Sequence, residues 1–279
     1  MSSGCKAAAL AVIVIAGPAI AFPGRFATPS VDAAQALRVC ADPNNLPFSN
    51  QRREGFENKI AEIVARELKR PLAYYWMPQR RGFVRNTLNA HQCDVVIGVP
   101  AEFDPLRSTA PYYRSTYVFV SRRDRALHVR SFDDPRLKTL TIGLQVTGDD
   151  YANPPAAQAL ASRQIIQNVR GYTIYGDYSR PNPPRGLIDA VADGKVDVAV
   201  AWGPLAGYFA RREPVPMDLT PVSPEADSRY IRFVFDISMG VRRDDVPLAK
   251  ALDSAIARRR AEIRRVLVDY GVPLVEKAS

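Results

Sequence analysis

The chain has little histidine with which to do chemistry. His91 and His128 are the only two, they stand far apart, and neither shares a ligand-spaced pattern with cysteine or carboxylate. A transition-metal centre and a histidine-assisted nucleophile are therefore both disfavoured. No P-loop, G-x-G-x-x-G, H-E-x-x-H or G-x-S-x-G motif occurs. Asp42, Asp149 and Asp150 fall in turns, where acidic side chains usually act as solvated caps rather than as ligands of a hard cation. An acid–base pair of Asp42 and Asp149 is the only enzyme reading left, and no spacing supports it.

Rings and guanidinium groups are better represented. Phe48, Trp76, Phe103, Tyr112, Tyr178 and Trp202 stand at the ends of apolar runs or in the polar stretches after them. Arg80 and Arg81 follow the second such run, Asn44 and Asn45 share a stretch with Asp42 and Phe48, and Thr147 shares a turn with Asp149. Together these form the candidate ligand-binding set. Rings of this kind stack on a flat molecule, and arginines pair with its carboxylates. The competing reading is that the rings pack a seam and the arginines are solvated.

The elements that must position these groups alternate. Residues 37–41, LRVCA, are a short apolar run closed by a Pro/Asn turn, as in a buried strand. A polar loop at 42–50 follows. A helix then starts near Glu54, with Phe56, Ile60, Ile63, Val64 and Leu68 on one face. A strand at 72–76 (LAYYW), a loop at 77–82, a helix at 83–90 and a strand at 93–99 complete β-α-β-α-β, which implies a parallel sheet. Ligands of such sheets bind beyond the carboxyl ends of the strands, where the 42–50 loop lies.

The pattern then restarts. A long strand at 112–121 precedes a strand at 140–144, helices at 156–162 and 187–192, and a strand at 196–201. Another long strand at 232–241 and two helices at 247–259 and 261–270 close the chain. Two long strands bracketing the second α/β unit predict two α/β lobes joined by two hinge crossings. One lobe takes residues 36–117 and 236–275, the other residues 118–235, with a ligand cleft between them.

The first 21 residues read as a cleaved secretory leader, with Lys6, an apolar run at 7–16 and an Ala19-Ile20-Ala21 cleavage site. That run of about 10–15 residues is short of the roughly 20 that a membrane span needs. An exported, soluble protein with no membrane span is expected. Removing the leader, which carries only Lys6, takes the net charge from +9 to +8. A basic exported protein suits an anionic ligand or an acidic partner, and nucleic acid is disfavoured by export and by the lack of a binding motif. Near the end of the chain, Leu252, Ile256, Ile263 and Leu267 form an apolar stripe, with Arg258, Arg259, Arg260, Arg264 and Arg265 around it. Such a face is either simply solvated or steers an acidic partner. Cys5 leaves with the leader. Cys40 and Cys93, in the first and third strands, either pair or serve as small buried hydrophobes.

The stretches CADPNNLPFSN, GFENKIAE, QRRGFVRNTL, CDVVIGVP, NVRGYTIYGDY, WGPLAGYFA and FDISMGVRR resemble type II periplasmic solute-binding proteins. More narrowly they resemble the quinoprotein-dehydrogenase-associated XoxJ/MxaJ family, over nearly all of residues 37–275. The resemblance implies a bilobal α/β fold in the periplasm and an accessory role beside a pyrroloquinoline quinone (PQQ)-dependent methanol dehydrogenase, in particular the lanthanide-dependent type. The dehydrogenase or its cofactor would be the partner. A monomer with no enzymatic activity and no cofactor of its own is expected. The alternative is a receptor that delivers a small, non-amino-acid solute to an ABC transporter. Amino-acid-binding relatives carry an arginine after the third strand and an aspartate after a second-lobe strand, which clamp the ligand's carboxylate and ammonium. The resemblance puts Phe103 and Trp202 at those positions, so amino-acid import is disfavoured. A planar, anionic molecule such as PQQ is the small ligand that the rings, Arg80 and Arg81 would suit.

Overall fold

The structure, a computed structural model, describes residues 36–146, 154–173, 178, 181–228 and 230–276. The leader, Thr147 and Asp149 lie outside them. The chain runs through β1 (Leu37–Ala41), β2 (Asn44–Asn45), β3 (Ser49–Asn50), α1 (Phe56–Glu67), β4 (Leu72–Trp76), α2 (Phe83–Asn86), β5 (Val96–Pro100), β6 (Arg107–Ser108) and β7 (Tyr113–Arg122). It continues through β8 (Ile142–Val146), α3 (Pro155–Ser162), β9 (Val169–Thr173), α4 (Gly186–Ala192), β10 (Val198–Trp202), α5 (Gly203–Ala210), β11 (Met217–Pro221), β12 (Val234–Val241) and α6 (Val246–Asp269).

Strand β1 lies parallel to β4, from Leu37↔Leu72 to Ala41↔Trp76, and touches the start of the β5 segment through a parallel bridge, Val39↔Val95. The larger sheet has the order β5-β12-β7-β10-β8-β9. Its key member is β7, whose aromatic and β-branched sequence favours a long strand. Residues Tyr113 to Thr116 pair with β12. From Tyr117 onward the strand pairs instead with β10, and from Val118 with β11 as well. One strand thus serves both halves of the molecule. Its two faces are both buried, as the period-2 alternation dictates. Val118 and Val120 pack with Ala199 and Ala201 against α4 and α5. Phe119, pointing the other way, packs with Val198, Val200 and Phe233.

The first half is closed by α1 and α6, whose apolar stripes share one core. Phe56, Ile60, Ile63 and Val64 meet Leu252, Ile256, Ile263 and Leu267 there. The sequence suggests two closing helices, but α6 is a single 24-residue helix. Between Leu248 and Asp269 no glycine or proline interrupts it, and arginine and alanine propagate helix well. The helix expected over 83–90 is only one turn, since at Thr87 the backbone leaves helical geometry (φ −114°, ψ −78°) and Asn89 N then bonds Val84 O, five residues back, at 3.0 Å. Cys40 and Cys93 form a disulfide with a Cα–Cα distance of 5.4 Å, packed among Phe83, Leu88, Val96, Val99 and Leu106. The bridge beside them brings Cys40 N within 2.9 Å of Val95 O.

The 42–50 loop is fastened to the first turn of α1. Phe56 N donates to Pro47 O at 2.8 Å and Glu57 N to Phe48 O at 3.0 Å. Asn58 Oδ1 accepts from Gly55 N at 3.1 Å and from Asn50 N at 3.2 Å. These bonds satisfy helix N-terminal donors that would otherwise have no partner. They also carry the loop across the carboxyl ends of β1 and β5.

Candidate functional site

Asp42, which leaves β1, is 2% exposed. Its Oδ1 accepts from Asn44 N at 2.8 Å, an Asx-type turn. Its Oδ2 accepts from Gln79 N at 2.6 Å and from the Tyr178 hydroxyl at 2.8 Å. Burial, followed by the Asp42 carboxylate, pushes the Tyr178 phenol well above its ordinary range. Asn44 Oδ1 accepts from Asn182 N at 3.1 Å, and the Arg80 guanidinium lies 5.1 Å from the Tyr178 ring centre. Asp42, Asn44, Arg80 and Tyr178 therefore form a polar tie between the two halves. Arg81 is exposed.

The remaining candidates separate. Trp76 stacks on Tyr74 with ring centres 4.6 Å apart. The Tyr112 hydroxyl donates to Ile97 O at 3.0 Å. Phe103 packs against the disulfide cluster. Asn45, Phe48 and Trp202 share a cavity of about 290 Å³, lined also by Glu57, Gln79, Gly98, Val99, Pro100, Tyr113, Tyr117, Gln145, Phe235 and Ile237. It lies beyond the carboxyl ends of β5, β8 and β10, the expected place in an α/β fold.

Strand register assembles its aromatic wall. Trp202 stands directly opposite Tyr117 in the β10–β7 ladder, and Tyr113 opposite Ile237 in the β7–β12 ladder. The rings of Tyr117, Trp202 and Phe235 form a triangle with centre separations of 5.4, 5.9 and 6.4 Å. Those distances and tilted planes suit edge-to-face contact. Gln145, at the end of β8, fixes the top of β10 by accepting from Trp202 N at 3.3 Å.

The polar lining consists of neutral amides, phenols and one carboxyl. Asn45 Nδ2 reaches Gln79 Oε1 at 3.4 Å, while Asn45 Oδ1 is buried with no partner. Glu57, the second residue of α1, presents its carboxylate to the cavity, and among the described residues no hydrogen bond or ion pair reaches it. Burial, and after it the negative charge of Asp42, pushes this carboxyl up to about 8. No lysine or arginine lines the cavity among the described residues, and no group of three or more metal-ligating side chains occurs among them. Glu57, Tyr113, Tyr117, Gln145 and Phe235 join the site although nothing in their local sequence marks them. Glu57 looks like an ordinary acidic first-turn residue. The phase of Tyr113, Tyr117 and Phe235 along their strands was the available signal, and reading it needs the register.

A second hollow, about 670 Å³, lies between β7 and α6 and holds Arg114, Arg260 and Arg264 with Asp236 and Glu276. Arg114 is tied to Asp236 at 3.1 Å and to Glu225 at 3.2 Å. Among the described residues no helix is long and apolar enough to cross a membrane.

No family model matches the chain. It is 31% identical to the protein MoxJ of Methylorubrum extorquens over 96% of its own length and 93% of that protein's. Two solved structures share its fold over their whole length. One is MxaJ from Methlophaga aminisulfidivorans MPT, with TM-score 0.75, 29% identity and 86% of this chain covered. The other is the periplasmic binding protein XoxJ from Methylobacterium extorquens AM1, with TM-score 0.71, 38% identity and 87% covered. With that fold, a bilobal α/β architecture built around a shared β7 and a cleft walled by aromatic rings, the chain belongs to the MoxJ family, the XoxJ/MxaJ group of periplasmic binding proteins.

Proposed function

We propose that this protein is a periplasmic accessory of a PQQ-dependent methanol or alcohol dehydrogenase, and that it acts by binding the dehydrogenase rather than by turning over a substrate. Kinship with MoxJ, MxaJ and XoxJ supports the link to methanol oxidation. That kinship carries the choice over a receptor for a small solute, and the aromatic wall without a basic side chain among the described residues weighs against an amino-acid receptor in particular. A zwitterion receptor needs charged clamps there. Identity to XoxJ exceeds identity to MxaJ, 38% against 29%, which favours the lanthanide-dependent type of dehydrogenase.

Free PQQ suits the cavity poorly. Its carboxylates would meet Glu57 and no guanidinium of the described lining, since Arg80 lies over Tyr178 and Arg81 faces outward. The exposed arginines of α6 offer the dehydrogenase a basic surface instead. In this reading the leader, residues 1–21, is removed on export. The two lobes comprise residues 36–117 with 236–275, and 118–235, and they hinge where β7 changes partners. Calorimetric titration of the mature protein with apo and PQQ-loaded methanol dehydrogenase, with free PQQ in parallel, tests the proposal. Heat with the dehydrogenase that weakens as salt rises supports it. Silence with both forms at low salt overturns it and puts the solute-receptor reading first.

A further inference from the structure

We propose that the cavity between β5, β7, β10 and β12 binds a small organic ammonium ion, held by the Glu57 carboxylate and Asn45 Oδ1 beneath the rings of Tyr117, Trp202 and Phe235. The site is independent of whether a dehydrogenase docks elsewhere on the surface. Three features of the lining select this chemistry. Asn45 is 7% exposed, lines the cavity and keeps an acceptor with no donor. Buried acceptors in native proteins nearly always find one. Glu57 adds a half-buried carboxyl that no hydrogen bond or ion pair reaches among the described residues, and once ionised in this site it needs a counter-charge. Five aromatic rings stand in the rest of the wall, and ring faces attract cations and repel anions.

An ammonium ion answers all three features. Its N–H groups donate charge-assisted hydrogen bonds to Glu57 and to Asn45 Oδ1. Its charge sits against the ring faces, and its apolar body packs on Phe48 and Ile237. A neutral alcohol would supply one donor and no charge. An anion would face a carboxylate across rings. The volume of about 290 Å³ equals that of about ten waters at ~30 Å³ each, which limits the guest to a small amine.

Binding is coupled to a proton. The charged and titratable groups facing Glu57 are Asp42 from the loop after β1, Tyr74 of β4, and Tyr112 and Tyr113 in and beside β7. Burial, more than the neighbouring charges, raises all three phenols, so they stay protonated at neutral pH. Glu57, pushed up to about 8, must release its proton when the cation arrives. Ammonium affinity then rises close to tenfold per pH unit between pH 6 and 7 and levels off above about 8.

The test compares benzylammonium, benzyl alcohol and benzoate, which share a ring and differ in charge, by calorimetry on the mature protein. Benzylammonium should bind at least tenfold tighter than benzyl alcohol, with benzoate silent. The ammonium titration at pH 7 should release protons, seen as a dependence of the heat on buffer ionisation. Glu57→Gln should reduce benzylammonium to the level of the alcohol while the protein stays folded. Phe235→Leu, which keeps apolar bulk and loses the ring face, should weaken benzylammonium several-fold and leave benzyl alcohol nearly unchanged. Benzoate binding as tightly as benzylammonium, an ammonium no better than the alcohol, or full ammonium affinity in Glu57→Gln would each overturn the proposal.

Discussion

Gly98 on β5 faces the Glu57 carboxylate so closely that a Cβ at position 98 would overlap Glu57 Oε1. The atom in the way is the end of a flexible side chain, so it can swing aside. Gly98→Ala is therefore expected to fold with a loss below about 1 kcal/mol, the ordinary range for a mild substitution, while displacing the carboxylate. Gly55 makes the instructive contrast, because a Cβ there would meet the backbone oxygen of Phe48. That oxygen is already held by Glu57 N and cannot move without opening the loop. Gly55→Ala should cost about 2–4 kcal/mol, as overpacking against backbone does. Urea denaturation of the two variants checks the difference. Equal losses would show that the Glu57 side chain is as rigid as the loop.

Glu57 also gives stability a defined pH dependence. The folded protein keeps a proton on this carboxyl up to about pH 8, whereas the unfolded chain loses it near the ordinary glutamate value of about 4.3. Over that window the folded state binds more protons than the unfolded state. The contribution of Glu57 is therefore fully present at acid pH and is lost as pH rises to about 8. Glu57→Gln removes this slope. The variant should match the parent near pH 4 and exceed it by about 2 kcal/mol at pH 9, allowing for the partial exposure of the group. Denaturant midpoints from pH 4 to 9 measure it. Parallel profiles would mean that the carboxyl titrates normally.

The Cys40–Cys93 bridge spans a sequence separation of 53 residues, a loop whose closure strongly restricts the unfolded chain. Replacing both cysteines by alanine, or reducing the bond, should lower stability by about 2–4 kcal/mol. The sulfurs sit in a small cluster with Leu88 and Phe83 and do not line the cavity, which that cluster meets only at Val99. Ligand affinity at the cavity should consequently survive reduction at temperatures where the protein stays folded. Thermal unfolding with and without reductant, with benzylammonium binding measured in parallel, separates the two effects.

Where local pattern decides structure, the elements could be read directly. Residues 37–41 and 72–76 are strands residue for residue, because apolar runs closed by loop residues leave little choice. β9 and β11 carry no local strand signal, since their edge positions leave them half-exposed and without clean alternation. The arginine run in α6 breaks the apolar stripe and so suggests a boundary, although every residue in it favours helix. The cavity shows the same division. Phe48 and Trp202 stand where loops leave a sheet, and that position is visible in a sequence. Tyr113, Tyr117 and Phe235 meet only because β7 takes β12 as partner on one stretch and β10 on the next. No local pattern encodes pairings across more than 80 residues. Asp42 invites a ligand reading as a lone acid in a loop. Its oxygens are instead taken by Asn44, Gln79 and Tyr178.

The arginines of α6 divide by what they already hold. Arg258 Nε and Arg259 Nε both donate to the Glu67 carboxylate, at 2.5 and 2.6 Å, and those hydrogen bonds hold the Glu67 carboxyl below its ordinary range. Arg260 and Arg265 are exposed and have no ion-pair partner among the described residues. Charge not neutralised within the molecule is what steers an acidic partner. Arg260→Glu combined with Arg265→Glu should slow association with methanol dehydrogenase about tenfold at low ionic strength and much less at 0.5 M salt, where the Debye length is only about 4 Å. Stability should change by no more than about 0.5 kcal/mol, as for most surface substitutions. Reversing Arg258 and Arg259 instead would place like charges beside Glu67 and should show mainly in thermal unfolding. Stopped-flow association rates set beside unfolding curves distinguish the pairs. Equal slowing by both would point to net charge rather than this face, and no slowing by either would move the docking surface away from α6.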